Sequence, residues 1–181
     1  MSISTCNLIA RLLISSALIG ALPATAAESA YNLGVQAYRA KDYAGAREQW
    51  SLAAREGETS ALNNLGYLLY EGLGGGTDQA GAVVLWRHAA MRGHAEAQWH
   101  LGAAFEQGAG VDASLLEAYA WYRCALANND TSGDADAAQE IARDAGKSLS
   151  ALMARLPTDQ FAAAEQRARE YIEKYASAAA N

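Results

Sequence analysis

The sequence predicts an all-α fold, an α-solenoid of about three helix-turn-helix repeats followed by C-terminal capping helices. Aromatic residues recur every 36 residues, at Trp50, Trp86 and Tyr122. Apolar residues around each of them are spaced i, i+3, i+4 and i+7, which is the period of one helix face. A fixed period of this length indicates stacked structural units, so we expect three repeats at about 30–60, 61–96 and 97–130.

Each repeat is predicted to contain a helix A, a turn and a helix B. The expected core faces of the three helices A are Ala30, Leu33, Gly34 and Ala37; Leu62, Leu65, Gly66 and Leu69; and Gln98, Leu101, Gly102 and Phe105. Those of the helices B are Ala46, Trp50 and Ala53; Ala82, Trp86 and Ala89; and Ala118, Tyr122 and Ala125. Because glycine has no Cβ, Gly34, Gly66 and Gly102 let each helix B approach its own helix A, and the aromatic rings fill the gap.

Helix boundaries are marked in the same register. Ser114 is followed by Glu117 three residues later, which is the pattern of a capping box. Glycine and asparagine tolerate the left-handed conformation at a helix end. We therefore predict the helix B caps Asp42, Asp78 and Ser114, and the helix B stops Gly57, Gly93 and Asn129.

The repeat motif extends to the turns. Ala-x-x-Leu-Gly is followed by Gly72-x-Gly74 or Gly108-x-Gly110, then by Ala-x-x-x-Trp/Tyr-x-x-Ala. Over about 30–130 this order resembles the Sel-like repeat family of the tetratricopeptide-like superfamily, which implies a right-handed solenoid with helices A on its concave face. In the first repeat the core leucine and alanine are 13 residues apart rather than 17, which predicts a shorter turn.

Residues 131–176 are expected to form the capping helices, and 177–181 a disordered tail. A helix is predicted from Asp134, and after Gly146 its apolar stripe either continues through a kink or forms a second helix. The last helix starts at Pro157 and resembles the one that closes Sel-like arrays. Its opposite side carries i, i+4 charge pairs, predicted to be solvated: Glu165/Arg169, Arg169/Glu173 and Glu170/Lys174.

Residues 1–26 are predicted to be a signal peptide. Arg11 precedes an apolar run, and the small residues Ala24 and Ala26 suit a signal peptidase, so we expect cleavage before Ala27 and a periplasmic or secreted location. An uncleaved anchor is the alternative, although the apolar run is shorter than the roughly 20 residues that span a bilayer.

Composition and motifs favour neither nucleic acid binding nor catalysis. The chain has 14 basic and 20 acidic residues and no basic run, and such an acidic surface repels phosphate backbones. Residues 146–148 resemble the end of a P-loop, but Ile141 occupies a position that must be glycine. Cys124 is expected to be a small buried hydrophobe. We predict no catalytic residue and no cofactor. We also predict no metal site, and we expect His88, His94 and His100 to be scattered surface imidazoles.

A second stripe of helix A is not expected to be buried by its own repeat. The resemblance places it on the concave face, where aromatic rings and a ladder of amides suit an extended peptide. The predicted partner-binding residues are Tyr31, Asn32, Tyr38, Asn63, Asn64, Tyr67, Tyr70, Trp99 and His100. The alternative is that some of these rings only pack between adjacent helices A.

The function expected from these features is an exported, non-enzymatic scaffold or adaptor that binds a protein or peptide partner. Two alternatives remain: an enzyme acting on cell-wall or β-lactam substrates, and a structural spacer that associates with itself.

The central aromatic residue offers a direct test of the repeat interpretation. Trp86→Ala is expected to lower the free energy of unfolding by about 3–5 kcal/mol, because it leaves a cavity between two repeats. Urea denaturation followed by circular dichroism measures the change. A loss below about 1 kcal/mol would contradict a core position for this ring.

Overall fold

The computed structural model describes residues 28–128 and 135–176. Every regular element in these ranges is helical, which confirms the all-α class. The α-helices are α1 Ala30–Arg39, α2 Tyr43–Arg55, α3 Thr59–Glu71, α4 Gln79–Ala90, α5 Ala95–Gln107, α6 Leu115–Ala127, α7 Ala135–Met153 and α8 Phe161–Tyr175, with a 3-10 turn at Thr158–Gln160 before the last. The predicted signal peptide, Asn129 and the predicted tail lie outside the described residues.

The helices stack as a one-dimensional array. The pairs α1/α2, α3/α4 and α5/α6 each pack closely, and each second helix also contacts the first helix of the next pair. In the same way α6 contacts α7, which therefore stands where the helix A of a fourth repeat would begin. Each unit thus buries its apolar face against its neighbours, as in a solenoid.

Glycine and an aromatic ring make the central contact of each repeat. A Cβ at Gly66 would lie 2.7 Å from the indole nitrogen of Trp86, and one at Gly102 would lie 2.7 Å from the ring of Tyr122. Gly34 faces Trp50 in the same way. These positions have no room for a methyl group, which confirms the predicted reason for glycine.

The indole N–H groups of the first two repeats fix the angle between helix A and helix B. Trp50 donates to the carbonyl oxygen of Tyr31 at 3.2 Å, and Trp86 donates to the carbonyl oxygen of Asn63 at 3.2 Å. A buried indole N–H needs such a partner. The backbone of helix A is therefore held at the residue that begins the predicted binding stripe.

The first helix differs from its equivalents in burial. Leu33 is 38% exposed, whereas Leu65 is 8% and Leu101 is 0% exposed. The prediction that Leu33 lies in the core is wrong, because α2 and α4 cover the other two leucines and no described helix packs in front of α1. Ala30, Ala37 and Leu69, also predicted as core residues, are half-buried.

The turns confirm the predicted difference in length. Three residues, 40–42, join α1 to α2, whereas seven residues join α3 to α4 and α5 to α6. In the longer turns Gly74 and Gly110 both have φ 73°, and a Cβ on either would clash with the backbone of Tyr43 or Gln79. Each long turn therefore rests on the first residue of the preceding helix B.

The predicted caps form, with one exception. Asp42 and Asp78 accept hydrogen bonds from backbone N–H groups three residues later, at 2.9 and 2.8 Å. Ser114 accepts from the Glu117 N–H at 3.2 Å, but the capping box is not closed. The prediction of a closed box is wrong, because the Ser114 N–H donates to the carbonyl oxygen of Phe105 at 2.9 Å and Tyr171 of α8 donates to the Glu117 carboxylate at 2.7 Å. The stops Gly57 and Gly93 adopt left-handed φ of 90° and 86°.

The C-terminal helices close the far end of the array. α7 runs through Gly146 as one helix, which decides between the two alternatives. α8 packs mainly against α6, where Ala164 and Ala168 are fully buried. Cys124 of α6 is also fully buried, as predicted, and this burial raises the pKa of its thiol to about 12.

The charged side of α8 is solvated as predicted at Arg169, Glu170, Glu173 and Lys174, and Glu165 is the exception. Glu165 pairs with Arg169 at 3.7 Å, but it also binds Arg123 and the hydroxyl of Tyr119 on α6. Glu170 forms an ion pair with Arg167 at 3.5 Å. The expected Arg169/Glu173 and Glu170/Lys174 pairs do not form within the described ranges. Glu165 holds α8 against α6, because Arg123 and Tyr119 lie on the facing helix.

None of the helices in the described part of the chain combines the length and apolar character needed to cross a bilayer.

Two glycine-to-alanine changes test the central contact. Gly66→Ala is expected to lower the free energy of unfolding by about 1–3 kcal/mol, because the methyl group would displace the Trp86 indole. Gly146→Ala is the matched control, since its nearest neighbour is Leu126 Cδ2 at 3.9 Å. Without a clash, alanine inside a helix is expected to stabilise by about 0.5–1 kcal/mol. Urea denaturation of both variants measures the sign of each change in the free energy of unfolding. Equal changes in the two variants would contradict the contact between Gly66 and Trp86.

Candidate functional site

A cleft of about 540 Å³ runs across the predicted helices A. Three helices form its walls, and one residue of α2 contributes to its floor. Its lining residues are Val35, Tyr38 and Arg39 of α1; Trp50 of α2; Asn63, Asn64 and Tyr67 of α3; and Glu96, Trp99 and His100 of α5. We call this site the cleft.

Six of the nine predicted partner-binding residues line the cleft: Tyr38, Asn63, Asn64, Tyr67, Trp99 and His100. Tyr70 lines an adjoining depression of about 260 Å³, and its hydroxyl hydrogen-bonds Gln107 at 3.1 Å.

Tyr31 and Asn32 do not line the cleft. Tyr31 is half-buried against the cluster that surrounds Trp50. Asn32 is exposed, one position further around α1. The structure thus separates these two residues from the others, because α1 contributes only its last two turns to the cleft wall.

Four residues line the cleft although they were not predicted to bind a partner: Val35, Arg39, Trp50 and Glu96. Val35 belongs to the same stripe as Tyr31 and Tyr38, so the helical spacing marks it. Glu96 lies four residues before His100, and this i, i+4 spacing is the sequence signal that could have placed it beside the cleft.

Aromatic rings form a continuous wall and also pack between helices. His100 stacks on Trp86 with ring centres 4.7 Å apart and an interplanar angle of 15°. Trp99 and Tyr67 contact the same imidazole, at 4.9 and 6.3 Å. The rings of Tyr67, Trp99 and His100 are all partly exposed. The same rings therefore pack between helices and line the cleft.

Asn63 connects two helices instead of offering a free amide. Its side chain is 1% exposed, and its Nδ2 donates to Glu96 Oε2 at 2.9 Å and to Asn64 Oδ1 at 3.3 Å. Its own Oδ1 has no hydrogen-bond partner among the described residues. A buried acceptor in this state costs about 1–3 kcal/mol, so the cleft contains one unsatisfied position.

Glu96 is the charged group at the centre of this network. His100 Nε2 lies 3.7 Å from Glu96 Oε1, and the Glu96 side chain is 41% exposed. The hydrogen bond from His100 lowers the pKa of the carboxyl below its usual value, against the opposing effect of burial. Glu96 is therefore ionised at neutral pH and presents a negative charge to the cleft.

Stacked helix pairs with a cleft along one side define the class of this protein as an α-solenoid of the tetratricopeptide-like kind. A protective antigen present in uropathogenic Escherichia coli strains, which displays an SLR fold, has 30% sequence identity over 83% of this chain and a TM-score of 0.73. A Sel1 repeat protein from Oxalobacter formigenes has 26% identity over 67% of this chain and a TM-score of 0.54. Both structures support the assignment of this chain to the Sel-like repeat family, as its motifs predicted.

The match is to part of each of these proteins. This chain spans 31% of the length of the first and 55% of the length of the second. No protein-family model and no curated protein matches the sequence. What the comparisons establish is the repeat fold, which suggests a scaffold for protein interactions.

Because folding lowers the pKa of Glu96, the contribution of its charge to the free energy of unfolding depends on pH. Since the folded-state pKa is below the ordinary value, the stabilisation is complete above about pH 4.5 and is lost as the pH falls through the folded-state pKa. Glu96→Gln is therefore expected to cost up to about 1 kcal/mol near pH 6 and less near pH 2.5.

Urea denaturation of wild type and variant at the two pH values measures this difference. Glu173→Gln on α8 is the control, because Glu173 is exposed and has no ion pair within the described ranges. A cost of Glu96→Gln that stays constant with pH would show that the charge of Glu96 has no part in it.

Proposed function

We propose that the protein is an exported, non-enzymatic scaffold or adaptor that binds a protein or peptide partner in the cleft. The observation that carries this proposal is the cleft itself, which presents partly exposed aromatic rings from successive helices A. Tyrosine and tryptophan are common anchors of protein interfaces, because they bury a large area with few rotatable bonds.

The arrangement of the cleft across three helices supports a peptide. About 540 Å³ falls within the range of sites that enclose small ligands, and three consecutive helices contribute to its walls. An extended chain laid across α1, α3 and α5 would contact all three, so several residues of one partner could be held at once.

Export is proposed from residues 1–26, whose apolar run and terminal alanines suit signal peptidase cleavage. The partner is accordingly expected in the cell envelope or outside the cell.

Site-specific photocrosslinking in the native cell tests the binding surface. Benzoylphenylalanine at position 64, in the cleft, is expected to capture a partner. The same group at position 84 is the control and is expected to capture none, because Val84 lies on α4 outside the cleft and is 53% exposed. Equal capture from both positions, or capture from position 84 alone, would contradict the cleft as the binding surface.

The captured product also separates the other functions. A second copy of the chain would support the self-associating spacer, and no product at either position would contradict a stable partner. The N-terminal residue of this protein in the crosslinked product tests export. Cleavage before Ala27 is expected, and an intact Met1 would contradict export.

A further inference from the structure

A second depression continues the cleft towards the C-terminal helices. It has a volume of about 270 Å³ and lies between α5 and α7. Its lining residues are Glu96, Trp99, Ala137, Glu140, Ile141 and Asp144. Glu96 and Trp99 line both cavities, so the two adjoin at this pair. We call the second cavity the α7 depression.

The α7 depression is acidic. Glu96, Glu140 and Asp144 contribute three carboxylates. Lys147 pairs with Asp144 at 2.9 Å and neutralises it in part. Glu140 is exposed and has no ion pair among the residues described. Arg39 of α1 also lines the main cleft, at the end away from the α7 depression. Positive and negative charges are therefore separated along the length of the cleft.

The Glu96 carboxylate at the junction accepts hydrogen bonds, and the neighbouring donors of Asn63 and Trp99 are already used. Asn63 borders the main cleft, but its unpartnered Oδ1 is buried, and its amide nitrogen is used by Glu96 and Asn64. The Glu96 carboxylate accepts one hydrogen bond from Asn63 and faces His100, which leaves acceptor capacity on both oxygens. A ligand that fits here must donate, as a peptide N–H, an ammonium or a guanidinium does.

Trp99 adds an aromatic surface at the same place. Its Nε1 lies 3.3 Å from Ser148 Oγ on α7, a hydrogen bond that orients the ring. The ring borders both cavities and is partly exposed. The face of a tryptophan attracts a cation, and the attraction grows as water is excluded.

Resting on the proposed function, we propose that the partner is an extended peptide segment with a lysine or arginine side chain. This side chain lies against Trp99 and between the carboxylates of Glu96 and Glu140. The backbone of the peptide runs along the main cleft, where its N–H groups meet the side-chain oxygen of Asn64. The acidic net charge of the chain, −6, favours approach of such a peptide.

Selection from phage-displayed random dodecapeptides on the purified full chain tests the proposal. Enriched peptides are expected to share a lysine or arginine at one position. If no peptide is enriched, the proposed function fails. If the enriched peptides share no basic residue, the function stands and the basic specificity is overturned.

One enriched peptide, labelled with a fluorophore, then serves as the probe in anisotropy titrations. Glu96→Gln and Glu140→Gln are each expected to weaken its binding about tenfold, and so is replacement of its basic residue by glutamine. Glu173→Gln removes the same charge from α8 and is expected to change the affinity less than about twofold. Glu140 is exposed, so its replacement leaves folding intact, and circular dichroism checks each variant.

A loss of affinity of equal size in Glu173→Gln would show that the peptide is attracted to the acidic chain as a whole. This result would overturn the proposed site. Affinity unchanged by Glu96→Gln and Glu140→Gln would overturn it as well, while enrichment itself would still support a peptide-binding function.

Discussion

The contact between a glycine of helix A and an aromatic ring of helix B is the constraint on which the rest of the structure depends. It sets the distance between the two helices, because the rings of Trp50, Trp86 and Tyr122 lie where a Cβ would be. With one face of helix A occupied in this way, the adjacent face is free to form a wall of the cleft. Stability and site therefore derive from two sides of one helix.

Asn63 joins these two sides at a single residue. Its carbonyl oxygen accepts the hydrogen bond of the buried Trp86 indole, and its side chain holds Glu96 of the next repeat. Since the backbone of Asn63 is fixed by the core, its amide is held in place at a low cost in conformational entropy. This arrangement explains why a buried polar group with one unsatisfied oxygen persists at the edge of the cleft.

The features that repeat every 36 residues could be predicted from the sequence, because equivalent positions have equivalent neighbours. The caps Asp42 and Asp78 and the glycine contacts belong to this group. Residues whose neighbours are not repeated could not be predicted. No helix among the described residues precedes α1 to cover Leu33, and Glu117 finds its partners on α8, 50 and 54 residues away along the chain. Glu96 joins the cleft through Asn63 of the repeat before it.

The short first turn has a consequence for how the array opens. Lys41 holds a left-handed φ of 62° there, which costs a non-glycine residue about 1–2 kcal/mol, and α1 also leaves Leu33 uncovered. At the other end α8 covers α6 with buried alanines and ion pairs. In a linear array, local unfolding starts where the nearest-neighbour terms are weakest, so amide exchange should be fastest in α1 and slow progressively towards α6. The cleft wall that α1 forms is then expected to open before the walls that α3 and α5 form.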